Sequence, residues 1–98
     1  MKNTISKHVK ILITAVHLKN GNEHKHISDV KWENTTTKET NTTSVKDIIT
    51  FLIENPGSIF VQDKEGVIEV CVINDTPKYI RTKKDDRLTD NLLYLPRF

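Results

Sequence analysis

One stretch of this chain, Ser44 to Ile53, carries an apolar period of three and four residues, and that singular helix limits the fold more than any other feature. Val45, Ile48, Ile49, Leu52 and Ile53 fall on one stripe of a helix. Ser44 is a suitable N-cap, and Asp47 three residues later gives a capping-box spacing with Asp in place of Glu. Asn55-Pro56-Gly57 stops the helix. A chain of 98 residues with a single helix has to bury that stripe against a sheet.

The other apolar segments are short and bounded by turn residues, as strands are. Val9–Leu18 has apolar residues on both parities and reads as a strand covered on both faces. It reads so in preference to an export signal, because the apolar run is short, His17 interrupts it and no small-residue cleavage site follows. Asn20-Gly21-Asn22 turns the chain into a second strand at His26–Glu33. Thr35–Thr43 has no apolar residue and reads as a polar linker. After the helix, Ser58–Gln62 and Val67–Ile73 make a hairpin about Asp63–Gly66, and Lys78–Thr82 makes a fifth strand. The expected fold is α+β, ββαβββ: a five-stranded, mainly antiparallel sheet with one helix packed on a face. Residues 1–98 are read as one domain, with residues 83–98 a C-terminal tail docked on the sheet, since Leu92, Leu93, Leu95 and Phe98 are too apolar to float.

Composition narrows the functional classes. The one cysteine, Cys71, allows no intramolecular disulfide and no cysteine-based metal site, which points to a cytoplasmic protein. No apolar run approaches a membrane span, so no membrane partner is expected. Net charge is only +2, yet Lys78–Phe98 holds six Lys/Arg against three Asp, a local basic region. His24 and His26 lie among Asn22, Glu23 and Lys25 and read as a solvated loop, His17 as a half-buried histidine; with His8 they suggest no metal site. Ser44 is taken as a cap, Cys71 as packing in a β run, and Gly21, Gly57 and Gly66 are isolated in turns. No catalytic residue, cofactor or metal is therefore expected, and the chain is read as not an enzyme.

The order of an apolar first strand, the capped helix, Val67–Ile73, Tyr79-Ile80-Arg81-Thr82, Asp90-Asn91-Leu92-Leu93 and Leu95-Pro96 resembles a family of small uncharacterised proteins of Gram-positive bacteria, their plasmids and phages. That family is marked by a Tyr-Ile-Arg-Thr motif and an Asp-Asn-Leu…Leu-Pro ending, and favours glycine in its turns, where this chain has only three. The resemblance carries no activity; its phage members imply a role in host–phage conflict.

On a strand, Tyr79 and Arg81 share a face, one a stacking surface and the other a planar fork for phosphate or carboxylate. With Thr82, Lys83, Lys84, Asn91 and Tyr94 they form the expected ligand- or partner-binding set. An internal reading stands beside it: Arg81 paired with Asp85, Asp86 or Asp90, and Asp90-Asn91 acting as a turn that sets the tail. The expected function is a non-enzymatic binding module acting stoichiometrically on a host protein or capturing a small anionic ligand. Nucleic-acid binding through the basic, aromatic C-terminal region is the alternative, and a homo-oligomer through open sheet edges is compatible with either.

Overall fold

The computed structural model describes residues 10–98, so Val9 and His8 lie outside the described residues. In chain order come β1 (Ile11–Leu18), a 3-10 turn (His24–His26), β2 (Ile27–Asn34), β3 (Thr40–Ser44), α1 (Val45–Glu54), β4 (Ile59–Asp63), β5 (Gly66–Ile73), β6 (Tyr79–Lys84), β7 (Arg87–Thr89) and a second 3-10 turn (Asn91–Tyr94). The strands make one sheet in the order β3-β2-β1-β4-β5-β6-β7. Among the described strands, β1 and β4 pair in parallel and the other strand pairings are antiparallel. The class is α+β with one helix on a mixed sheet.

Among the described residues the sheet has seven strands and not five, and both additional strands have a physical reason for being overlooked. β3, Thr-Asn-Thr-Thr-Ser, lies, but for Ser44, within what reads as a polar linker. It is an edge strand with no buried residue, so no apolar alternation marks it; its threonines supply β-branched propensity instead. Trp32 of β2 fastens it, Nε1 donating to Thr43 Oγ1 at 2.8 Å. β7 begins within the supposed tail. Asp85 and Asp86 both adopt left-handed backbone (φ 53° and 65°) and form the two-residue link between Lys84 and Arg87. Tight hairpins of this hand require positive φ at both central residues, and Asp tolerates it among non-glycine residues.

Ser44 closes β3 and opens α1 without an intervening loop, its Oγ accepting from the Asp47 N–H at 3.2 Å. Val45, Ile48, Ile49 and Leu52 are buried, whereas Ile53, the last member of the apolar stripe, stays 59% exposed. The buried helix residues join Ile13, Val16, Val30, Ile59, Val61, Val70, Ile80 and Leu92 in one core. β1 pairs with β4 only over Ile11–Leu12. Further along, the C-terminal segment takes that side of β1: the Val16 N–H donates to Pro96 O at 2.9 Å, and the Phe98 N–H donates to Val16 O at 3.2 Å. Arg97 Nη1 braces the turn before it, donating to Leu93 O and Leu95 O at 2.8 and 3.0 Å. No helix among the described residues is long and apolar enough to cross a membrane.

Candidate functional site

Strand alternation divides β6 cleanly. Ile80 and Thr82 are wholly buried, while Tyr79 and Arg81 lie half-buried on the opposite face. Arg81 is braced from within: Nε donates to Thr89 O at 3.2 Å and Nη2 to Asp90 Oδ1 at 2.9 Å. Thr82 Oγ1 accepts the Asn91 N–H at 3.2 Å and lies 2.7 Å from Thr89 Oγ1 and 3.1 Å from Thr89 O. Ile80 and Leu92 are both fully buried in the core. Tyr-Ile-Arg-Thr and Asp-Asn-Leu therefore interlock, with Ile80 and Leu92 in one core, Arg81 on Asp90 and Thr82 on Asn91.

This interlock sorts the residues expected to bind. Thr82 and Asn91 are engaged inside the fold. Lys84 donates to Glu65 at 2.9 Å, and this hydrogen bond, aided by the carboxylate charge, raises the ammonium pKa. Lys83 stands 3.9 Å from Asp86. Tyr94, 81% exposed, is the freest aromatic side chain of the set. Tyr79 and Arg81 remain together, and they open into a cleft of about 390 Å³ that they share with His24, Asp90 and Leu93.

Sequence reasoning missed His24, because the polar residues around it suggest a solvated loop. The β1–β2 connection instead folds against β6. Gly21 gives the His26 ring its room, since a Cβ there would force the ring to move. His26 sits with His24 in the 3-10 turn, and its Nδ1 accepts from the Glu23 N–H at 3.0 Å. The His24 side chain is only 11% exposed, with Nε2 3.7 Å from Asp90 Oδ1 and no hydrogen-bond partner among the described residues. Asp90 thus faces Arg81 at bonding distance and His24 just beyond it. Glu23 and Asp75 bring two further carboxylates to the cleft, and Lys25 one further cation. The cleft is of mixed charge, with acid in excess.

Burial holds the His24 pKa below its ordinary value of 6.5; Arg81 reinforces the shift, and Asp90 and Glu23 oppose it. The unfolded chain then takes up a proton more readily than the folded one. The contribution of neutral His24 is fully present above pH 6.5 and is lost as pH falls through 6.5 towards the folded pKa. Thermal midpoints at about pH 7.5 and about pH 5.5 should show a larger fall for the wild type than for His24→Gln. Equal falls would show that His24 does not titrate as its burial requires.

Chemistry at the other nucleophiles is restrained. Ser44 is occupied as the helix cap. Burial pushes the Cys71 thiol pKa up, and its Sγ donates to Arg81 O at 3.4 Å, so the reactive thiolate is disfavoured. Among the described residues, no group of three or more His, Cys, Asp or Glu is placed to hold a metal ion.

Residues 12–96 match the model of a family described as protein of unknown function (DUF3892), and the chain belongs to that family. The match covers both interlocking motifs. No curated protein and no solved structure matches the chain.

Proposed function

We propose that the chain is a non-enzymatic binding module that acts stoichiometrically on a protein partner through the cleft of Tyr79, Arg81, His24 and Asp90. The observation that supports this is the charge of that cleft. Arg81 is already satisfied by Asp90, and Glu23 and Asp75 stand nearby, so a small free anion would meet more carboxylate than unbound cation. A protein surface can present complementary groups of both signs together, with Tyr79 as a rigid aromatic anchor. This reading narrows the alternatives of host protein and small anionic ligand to the first. The resemblance to proteins of Gram-positive bacteria and their phages suggests the setting, a cytoplasmic counter-defence role against a host protein. Nucleic acid is less favoured, since Arg81, Lys83, Lys84 and Arg97 at the basic end each have an internal partner. Association of copies through β3 is also less favoured, because Asn41 Oδ1 already accepts the Thr42 N–H of that edge at 2.8 Å.

The test is capture from a Gram-positive cell lysate on immobilised protein, followed by mass spectrometry and measurement of affinity for the protein recovered. Tyr79→Ala combined with Lys25→Glu should weaken that affinity at least about tenfold, as loss of an interface anchor does. Thermal midpoints would show that the variant is folded. Retention of nothing, or equal retention by wild type and variant, would defeat the proposal. Calorimetric binding of inorganic phosphate or ATP, lost in the variant, would transfer the site to small anions.

A further inference from the structure

A second surface shares no lining residue with the cleft. Between α1 and the segment that enters β6 runs an open groove of about 620 Å³. Its floor and walls are Ile27, Val45, Ile49 and the 59%-exposed Ile53. Lys46 on the helix and Lys78 beside Pro77 line the same groove, and neither forms an ion pair among the described residues. This separates them from Lys83 and Lys84, which stand by carboxylates.

We infer that this groove docks an acidic amphipathic segment of a partner protein, its apolar side chains over Ile49 and Ile53 and its carboxylates on Lys46 and Lys78. Three physical points support that occupant. Most of the side chain of Ile53 lies in water at the end of an otherwise buried stripe, and covering it removes apolar surface. A helical segment with apolar residues three and four positions apart presents its anchors along one face, which suits a groove that runs beside α1. Two unpaired ammonium groups on one apolar groove favour carboxylates in the segment and disfavour lysines, so charge also sets specificity. The inference goes beyond the cleft reading, since it uses none of Tyr79, Arg81, His24 or Asp90.

Selection from a random library of displayed peptides against the full chain tests it. The recovered peptides should combine Asp and Glu with apolar residues at three- and four-residue spacing. Their affinity should fall at least about tenfold for Lys46→Glu/Lys78→Glu, in which attraction becomes repulsion. Ile53→Ser, at an exposed position, should weaken the same peptides with the thermal midpoint nearly unchanged, and Tyr79→Ala should leave them bound. Recovery of basic or uncharged peptides, recovery of none, or indifference to the double lysine variant would overturn the inference. Peptides that respond to Tyr79→Ala and not to the lysines would overturn it too, while leaving the cleft reading in place.

Discussion

Leu92→Ala should cost the fold about 2–5 kcal/mol, the range for emptying a fully buried leucine site. Leu92 belongs to a four-residue 3-10 turn six positions before Phe98, where most chains tolerate change. It is nevertheless 0% exposed and shares a core with Ile80, Ile59 and the buried face of α1. A loss of this size is a large part of the total stability of a domain, about 5–15 kcal/mol. Urea or thermal unfolding would measure it, with Tyr94→Ser in the same turn as a control. Tyr94 is 81% exposed, so its substitution should stay within about 0.5 kcal/mol. If Leu92→Ala unfolded at the wild-type midpoint, the C-terminal segment would be an accessory to the core and not a part of it.

Thr82→Val should cost about 1–3 kcal/mol although it preserves side-chain shape. The hydroxyl is wholly buried, and its loss leaves the Asn91 N–H without the acceptor it now has at 3.2 Å. Thr89 would lose its 2.7 Å contact as well. Thr82→Ser, which retains the hydroxyl and removes one methyl, should cost about 0.8 kcal/mol. Hydrogen exchange at the Asn91 amide gives an independent reading: protection should fall in the valine variant and persist in the serine variant. If Thr82→Val were as stable as wild type, the hydroxyl network would carry no folding energy.

Together these results would assign Ile80, Thr82, Asn91 and Leu92 to holding β6 against the chain end. Arg81 and Asp90 belong to the same clasp through their 2.9 Å bond, yet they also face the cleft. Substituting either one confounds folding with binding. Tyr79 and Lys25 are better probes of the cleft because no hydrogen bond of the clasp runs through them.

Much of the architecture was legible in the residues because it depends on local period and local chemistry. The stripe from Val45 to Leu52 and its Ser44 cap are both decided within a few positions, by which face water must leave. β3 and β7 were not legible in that way. An edge strand with no buried residue shows no apolar period, and a two-Asp hairpin link resembles a patch of solvated charge until its backbone conformation is known. The site divides along the same line. Residues 79–82 and 90–92 attract attention by their types, but which of them face the core and which face a ligand depends on pairings across seven to nine positions of chain. His24 depends on a far longer reach, since only the folding of the β1–β2 connection onto β6 brings its imidazole to Asp90. The sequence by itself thus determined the helix and the strands with a buried face. Tertiary structure alone decided the strand count, the clasp and the charge of the cleft, because those arise where segments distant in the chain meet and exclude water.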